Sequence, residues 1–240
     1  MADTKRTVCV IGATGGIGAA CVRAFGRAGD TLVGMDLPGP GLEAFAQETG
    51  VAYEIDLADP DSVARAFAAA RDSHPVLDVL VITSGIVENK TAAETSLELW
   101  DRIQAVNLRG TFLCIQAALP WVRDGGRIVT LGSQAGRSGG GVTGPSYSAS
   151  KAGIEGLTRA IAKELSPRRI TVNCVTPGPV DTPMLDAHPK NRIAELVALT
   201  PLGRLTRPDE VAAAVMFLAS EAAAQMTGIV LPINGGLRMD

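Results

Sequence analysis

The sequence predicts an α/β fold in which a doubly wound parallel β-sheet carries helices on both faces. Short runs rich in β-branched residues alternate with longer amphipathic runs along the whole chain, as in repeated strand–helix–strand units. The run Leu77–Thr83 is apolar almost throughout, as expected of a strand covered on both faces. A glycine-rich turn, GATGGIG at Gly12–Gly18, follows the first such run and opens an amphipathic one.

The predicted strands are short runs of β-branched and other apolar residues, and they recur along the whole chain. Connections between successive parallel strands are expected to cross over with a right-handed sense. We find no linker, repeat or low-complexity tract, so residues 1–240 are predicted to form one domain. The predicted strands are Thr7–Gly12, Thr31–Asp36, Val51–Leu57, Leu77–Thr83, Gly126–Ser133, Arg169–Gly178 and Gly228–Gly236.

The predicted helices are the longer amphipathic runs between these strands. The first predicted helix ends at Gly29, because glycine commonly terminates helices. The second begins with Asp59, a good N-cap residue, followed by Pro60, which is favoured in the first turn of a helix. Two stretches, residues 136–145 and 177–190, are too rich in glycine or proline for regular structure. The predicted helices are Gly16–Gly29, Asp59–Asp72, Ser96–Val122, Ser146–Leu165 and Arg207–Ser220.

The composition excludes several classes of function. The formal net charge is −3 and no basic run stands out, so a nucleic-acid partner is not expected. With two histidines and no Cys/His cluster of zinc-like spacing, no metal site is expected either. The cysteines lie in apolar stretches without a C-x-x-C pair, which indicates buried, reduced thiols. No run is long enough to cross a membrane, and no signal peptide is apparent, so we expect a cytoplasmic protein.

The glycine-rich turn predicts a site for a phosphate group. Gly12, Gly16 and Gly18 follow the spacing G-x-x-x-G-x-G between a strand and a helix. Because glycine has no side chain, an anion can approach the main chain closely. The free N–H groups and the dipole of the helix N-terminus favour negative charge. The pyrophosphate of a dinucleotide is the natural occupant, although a merely tight strand–helix turn would have the same glycines.

Asp36 favours NAD over NADP as that dinucleotide. It ends the second predicted strand, where a dinucleotide-binding fold presents an acid to the adenine ribose. A carboxylate there accepts hydrogen bonds from ribose hydroxyls and repels a 2′-phosphate. Between Arg27 and Arg65 the chain has no Lys, Arg or His, and Gly15 within the turn is not basic. The segment therefore offers nothing that could bind a 2′-phosphate.

Three polar residues form a candidate catalytic set. Tyr147 and Lys151 are spaced i and i+4, so they share one face of a predicted helix. A phenol has an ordinary pKa near 10, and a neighbouring ammonium lowers that pKa by stabilising the phenolate. Tyr147 could then exchange a proton with an alcohol or carbonyl oxygen. Ser133 ends a predicted strand at the sheet edge where α/β proteins gather their sites, and its hydroxyl could bond the reacting oxygen.

These motifs together resemble the short-chain dehydrogenase/reductase family over the whole chain. The resemblance rests on GATGGIG at Gly12–Gly18, Asp36, Asp56–Leu57, Asn107, Ser133, YSASK at Tyr147–Lys151 and PGPVDTPM at Pro177–Met184. It implies an NAD(H)-dependent oxidoreductase with a seven-stranded Rossmann-type sheet in the order 3-2-1-4-5-6-7. It also implies a homotetramer.

The resemblance assigns a role to each catalytic residue. Tyr147 would be the general acid/base, and Ser133 would orient the substrate oxygen. Lys151 would bind the nicotinamide ribose and lower the pKa of Tyr147. Asn107 would kink its helix and hold a water that links Lys151 to solvent.

The resemblance also implies the cofactor contacts. Asp56 and Leu57 would touch adenine, and Val180 and Thr182 would meet the nicotinamide carboxamide. One departure occurs after the fourth strand, where the family usually has Asn-Ala-Gly and this chain has Thr83–Gly85. The full expected set is Gly12, Thr14, Gly15, Gly16, Ile17, Gly18, Asp36, Leu37, Asp56, Leu57, Ser84, Gly85, Tyr147, Lys151, Pro177, Gly178, Val180 and Thr182.

The substrate is predicted only by class, as a moderately apolar secondary alcohol or ketone. Residues 180–205 would form a lid of loop and short helix, in which His188 is expected to be solvated. One alternative is an NADPH-dependent 3-oxoacyl-carrier-protein reductase, which the run from Pro201 to Gly236 resembles. Another is a protein that binds the dinucleotide without turnover. The expected substrate contacts are Ser133, Gln134, Val142, Tyr147, Met184 and Leu185.

Overall fold

A single parallel sheet forms the centre of the fold. The computed structural model describes residues 5–49, 51–140, 143–187 and 190–239. All strand pairs are parallel, and the order is β3-β2-β1-β4-β5-β6-β7, which confirms the predicted class and strand order. The strands are β1 Thr7–Ile11, β2 Thr31–Asp36, β3 Ala52–Glu54, β4 Leu77–Ile82, β5 Val122–Leu131, β6 Thr171–Pro177 and β7 Val230–Ile233.

Helices cover both faces of the sheet. They are α1 Gly16–Arg27, α2 Pro40–Thr49, α3 Pro60–Ser73, α4 Leu97–Ile103, α5 Gly110–Ala118, α6 Ala135–Ser138, α7 Pro145–Leu165, α8 Lys190–Leu199 and α9 Pro208–Leu218. A π-helical turn, Gln104–Arg109, joins α4 to α5, and a 3₁₀ turn covers Pro183–Ala187. As predicted, Asp59 caps α3, accepting a hydrogen bond from the Asp61 main-chain N–H at 3.0 Å.

Two hydrophobic cores lie on opposite faces of the sheet. Along β4, Leu80 and Ile82 belong to one core and Val79 and Val81 to the other. Successive side chains of a strand point to opposite faces, so a strand buried on both sides must be apolar at every position. This explains the continuous apolar run that predicted the strand. All four cysteines are buried and free.

Several predicted boundaries are wrong. The predicted helix Ser96–Val122 is interrupted by the π-helical turn and ends at Ala118, because Pro120 cannot continue a helix. β5 begins earlier than expected, at Val122, and its register against β4 shifts between Leu77 and Val79. α2 was not predicted; it buries Leu42 and Phe45.

The stretches expected to be irregular contain short helical elements. α6 lies at the start of the first of them and the 3₁₀ turn lies in the second. None of the helices in the described ranges is long and apolar enough to cross a membrane. Among the same residues, no group of side chains has the arrangement of a metal site.

Candidate active site

The carboxyl ends of the central strands meet at one large cavity of about 940 Å³. Parallel strands present their carboxyl ends at the same sheet edge, which is where open α/β folds bind ligands. Every residue of the expected cofactor set lines this cavity, and so do Ser133, Gln134, Met184 and Leu185 of the expected substrate set. Val142 and His188 lie outside the described residues.

The turn between β1 and α1 leaves no space for side chains at two glycines. Gly12 has φ +81°, and a Cβ there would lie 2.6 Å from Ser84 Oγ. A Cβ on Gly18 would lie 1.8 Å from the carbonyl oxygen of Gly12. The N-terminus of α1 has no side-chain cap and no acidic residue in its first turn. Its free N–H groups and dipole at the cavity therefore fit a pyrophosphate.

Asp36 lies at the end of β2 with its carboxylate held by the same turn. Its Oδ2 accepts hydrogen bonds from the Thr14 main-chain N–H at 2.9 Å and from the Thr14 hydroxyl at 2.6 Å. Its Oδ1 accepts one from the Leu37 N–H at 2.8 Å. A carboxylate offers about four lone-pair positions, so one position on Oδ1 is left for a ribose hydroxyl.

The three candidate catalytic residues converge on one side of the cavity. Tyr147 and Lys151 lie on the same face of α7, with Lys151 Nζ 5.8 Å from the centre of the Tyr147 ring. Lys151 Nζ donates to the Leu131 carbonyl oxygen at 2.9 Å, at the end of β5. Ser133 follows that strand, and its side chain interacts with the Tyr147 hydroxyl. The arrangement brings two hydroxyl groups and one ammonium to the same cavity.

The protonation equilibria of this set differ from the expectation. Burial raises the pKa of Tyr147, and the hydrogen bond with Ser133 opposes that rise. The predicted lowering by Lys151 is therefore not found among the protein's own groups. Burial instead lowers the pKa of Lys151 to about 8, with a smaller opposing influence of Cys174 beneath it. Lys151 thus remains an ammonium at neutral pH.

Comparison with known proteins identifies the family. The family model described as "Enoyl-(Acyl carrier protein) reductase" matches residues 12–238. A crystal structure titled short-chain dehydrogenase/reductase SDR:glucose/ribitol dehydrogenase, from Brucella melitensis, is 38% identical with a TM-score of 0.92, covering 98% of this chain and 97% of that one. The chain belongs to the short-chain dehydrogenase/reductase family.

Among the relatives of this short-chain dehydrogenase/reductase, one is named for its substrate and another was solved with a cofactor. The 3-oxoacyl-(acyl-carrier-protein) reductase FabG of Aquifex aeolicus is 37% identical over 240 residues, which is 95% of each chain. A blue fluorescent protein from a metagenomic library, solved in complex with NADPH, is 34% identical with a TM-score of 0.92 and 98% of both chains covered. Family membership therefore shows an oxidoreductase that uses a nicotinamide dinucleotide.

In this short-chain dehydrogenase/reductase, residues 83–85 differ from the usual family pattern, but they still connect the strands next to the glycine-rich turn. The Thr83 hydroxyl donates to the carbonyl oxygen of Ile11 at 2.8 Å, and the Thr83 N–H donates to the same oxygen at 2.9 Å. Thr83 thus connects the ends of β1 and β4 beneath the glycine turn. Ser84 packs against Gly12 and lines the cavity.

Asn107 lies fully buried in the π-helical turn and does not line the cavity. Its Oδ1 accepts from the Ile86 N–H and its Nδ2 donates to the Ile86 carbonyl, both at 2.9 Å. Nδ2 also donates to the Ser150 hydroxyl at 3.0 Å. The helix departs from α geometry where the resemblance implied a kink, and π-helical turns often mark functional sites. Its link to Lys151 through a water stays a prediction.

The predicted lid is attached at its base. Val180 forms a β-bridge with Thr206, and hydrogen bonds run from the Asp181 N–H to Thr206 and from the Thr206 N–H to Pro179. Between these attachment points, Thr182, Pro183, Met184, Leu185 and Leu196 of α8 line the cavity.

Sequence reasoning missed several residues of the cavity wall. Arg102 of α4 and Val106 of the π-helical turn line it, although the sequence showed no motif around them. Ile55 and Ala58 flank the predicted pair Asp56 and Leu57 and could have been expected from that neighbourhood. Leu237 comes from the segment after β7, which no sequence signal connected with the site.

Proposed function

We propose that this short-chain dehydrogenase/reductase transfers hydride between NAD(H) and a secondary alcohol or ketone, with Tyr147 as general acid/base. The observation that carries the proposal is the convergence of the Tyr147 and Ser133 side chains beside the Lys151 ammonium in the cavity. A bound nicotinamide would supply or accept the hydride. The glycine-rich turn between β1 and α1 is suited to the pyrophosphate of such a dinucleotide, and Asp36 is suited to its adenine ribose.

The protein's own residues would manage the proton and the oxygen. A substrate oxygen placed between the two hydroxyls accepts a hydrogen bond from Ser133 and exchanges its proton with the Tyr147 Oη. Lys151 stabilises the phenolate that forms when Tyr147 has donated its proton to a ketone. Because the pKa of Lys151 is about 8, this positive charge is present at neutral pH.

NAD(H) is proposed over NADP(H) because of Asp36. A 2′-phosphate would meet this carboxylate at the end of β2, and the following residue, Leu37, is apolar and 59% exposed. We expect the pair Asp36→Ala and Leu37→Arg to shift preference toward NADP(H), since it removes the repulsion and adds a phosphate partner. Calorimetric titration of parent and variant with NADH and NADPH would measure the shift. A parent chain that binds NADPH as tightly as NADH would contradict the assignment.

A second candidate function is that of an NADPH-dependent 3-oxoacyl-carrier-protein reductase. It is favoured by the 37% identity to FabG of Aquifex aeolicus over 95% of both chains. The calorimetric titration above separates the two candidates by their cofactors.

Gln134 points to a substrate with a second oxygen close to the reacting one. Its side chain lines the cavity next to Ser133, and its Oε1 accepts from Asn234 Nδ2 at 3.2 Å. Asn234 Oδ1 accepts from the Gly236 N–H, and this bond fixes the orientation of both amides. Gln134 Nε2 has no partner within the described part of the chain. An oxygen of a hydroxy ketone, polyol or 3-oxo ester would supply one.

A substrate panel tests the proposed function. Cyclohexanol, ribitol, butanone, acetoin and ethyl acetoacetate would be assayed with NAD(H) and NADP(H) side by side. Acetoin differs from butanone only by a hydroxyl group, so we expect it to be the better substrate in kcat/KM. Gln134→Leu should remove most of that difference, which is roughly 10- to 100-fold for one unpaired polar group. No turnover of any member with either cofactor would favour a binding protein instead.

Assembly and location complete the proposal. We propose a homotetramer, supported by Trp100 of α4 and Phe112 of α5, two large apolar side chains that are about two-fifths exposed. Light scattering should then give four times the chain mass of 24.8 kDa.

The four free cysteines support a cytoplasmic location, where thiols stay reduced. The proposed reaction involves only small molecules as partners.

A further inference from the structure

A buried carboxylate, Glu88, has no role in the site described so far. It lies in the segment after β4, it is 7% exposed, and it does not line the cavity. Its Oε1 accepts hydrogen bonds from the Ser146 hydroxyl at 2.9 Å and from the Tyr147 main-chain N–H at 3.1 Å. Its Oε2 accepts one from the Lys90 N–H at 2.9 Å. A carboxylate in the interior is stable only when such donors compensate it.

Two of these donors belong to the first turn of α7, which carries Tyr147. A helix leaves the N–H groups of its first turn without partners inside the helix. Pro145 has no N–H, and the N-cap residue Gly144 has no side chain with which to cap the turn. Glu88 serves instead: its carbonyl oxygen accepts from the Gly144 N–H at 2.9 Å, and its carboxylate accepts from Tyr147.

The fit between Glu88 and Gly144 excludes an ordinary cap. A Cβ on Gly144 would lie 1.9 Å from Glu88 Oε2 and 2.4 Å from the Lys90 carbonyl oxygen. The Ser, Thr, Asp or Asn that usually caps a helix therefore cannot occupy this position while the segment after β4 covers it. The negative charge also lies at the positive end of the α7 dipole, which favours it there.

The segment that bears Glu88 is itself fixed to the site. Asn107 bonds both main-chain polar groups of Ile86, two residues before Glu88. Residues 84–87 line the cavity. Gln104 Nε2, from the π-helical turn, donates to the Ser146 carbonyl oxygen at 2.9 Å. The first turn of α7 is thus held from two directions, by Glu88 and by Gln104.

We propose that Glu88 is a positioning residue: by capping α7 from outside the helix, it holds the Tyr147 hydroxyl in place beside Ser133. The inference rests on the proposed role of Tyr147 in proton transfer. Glu88 touches neither substrate nor cofactor, so its effect on the reaction passes through the main chain of Tyr147. A catalytic group displaced by about 1 Å can lose about 10²-fold in rate, so a frayed first turn would reduce turnover.

Glu88→Ala and Glu88→Gln test this inference in the full chain. We expect Glu88→Ala to lower kcat roughly 10- to 100-fold while KM for acetoin and Kd for NADH change less than about threefold. Glu88→Gln keeps an oxygen for Tyr147 and should retain most of kcat. Amide hydrogen exchange over residues 143–150 should become faster in Glu88→Ala and much less so in Glu88→Gln.

Glu155→Gln is the matched control. Glu155 is also a buried carboxylate, lying on α7 two turns beyond Tyr147, where it pairs with Arg137 and Arg159. This variant should lose thermal stability without the loss of kcat. If Glu88→Ala does not fold, a Glu88→Gln chain with parental kcat but faster exchange over residues 143–150 would still overturn the inference.

The outcomes separate this inference from the proposed function. Parental kcat in both Glu88 variants, measured well below their unfolding temperatures, would make Glu88 merely structural. In that case a large loss of kcat in Tyr147→Phe would leave the proposed function standing. No turnover of the panel by the parent chain would contradict the proposed function, and the inference with it.

Discussion

Tyr147→Phe should lower kcat by roughly 10²- to 10⁴-fold, the range for the loss of a positioned acid/base. The substitution removes one oxygen, which interacts with the Ser133 side chain, and it leaves the buried ring in place. Ser133 keeps its second contact, because its hydroxyl oxygen also accepts from the Ala135 N–H at 3.1 Å. We therefore expect NADH binding and the unfolding temperature to stay close to those of the parent.

The chain provides a matched control for this substitution. It has two tyrosines, and the other one, Tyr53, lies on β3 and does not line the cavity. Tyr53→Phe removes the same atom elsewhere and should leave kcat unchanged. Steady-state rates with acetoin and NADH would compare the three proteins. Turnover by Tyr147→Phe within a few-fold of the parent would overturn the proton-transfer role and revive a protein that only binds the dinucleotide.

Gly18→Ala should weaken NADH binding by roughly 10- to 100-fold, which corresponds to about 1.4–3 kcal/mol. The added Cβ would lie 1.8 Å from the carbonyl oxygen of Gly12, a main-chain atom that cannot rotate away. The N-terminus of α1 must then move away from the turn that we propose binds the pyrophosphate. Overpacking of this kind costs typically about 1–3 kcal/mol of stability as well. Fluorescence titration with NADH and urea denaturation would measure the two effects.

Gly26→Ala is the control on the same helix. A Cβ there would lie 3.4 Å from the Leu32 Cδ1 atom, the end of a flexible side chain. Alanine is the better helix former by about 1 kcal/mol, so this variant should be slightly more stable and bind NADH normally. If Gly18→Ala bound NADH as tightly as the parent does, the turn would not be the phosphate-binding site.

The parts of the structure that follow from local periodicity could be predicted from the sequence. The apolar run of β4 predicts a strand, and the pair Asp59–Pro60 predicts the start of helix α3. Both predictions depend only on the residues of the segment itself. The candidate catalytic residues were predicted for a related reason. Strand ends and an i, i+4 pair on one helix face are properties of a short segment, and the topology brings such segments to one edge.

What the sequence could not predict depends on contacts between distant segments. The π-helical turn within the run Ser96–Val122 is stabilised by Asn107 bonding Ile86 and Ser150, which no periodicity reveals. Glu88 looks like a solvent-exposed acid in a polar loop until the fold places it under α7. Its partner Gly144 looks like one more glycine of a flexible stretch.

The burial of Lys151 also has a consequence for the stability of the folded chain. The pKa is about 8 when folded and 10.5 ordinarily, so below pH 8 the ammonium opposes folding by about 3 kcal/mol. Between pH 8 and 10.5 the unfolded chain binds more protons, so this penalty fades as the pH rises.

Relative to Lys151→Met, the parent's free energy of unfolding should therefore increase by about 3 kcal/mol across that window, as chemical denaturation would show. A constant difference would contradict the lowered pKa. The ammonium that we propose stabilises the Tyr147 phenolate is thus maintained at the expense of the fold, and under that proposal the more stable Lys151→Met chain would be the less active one.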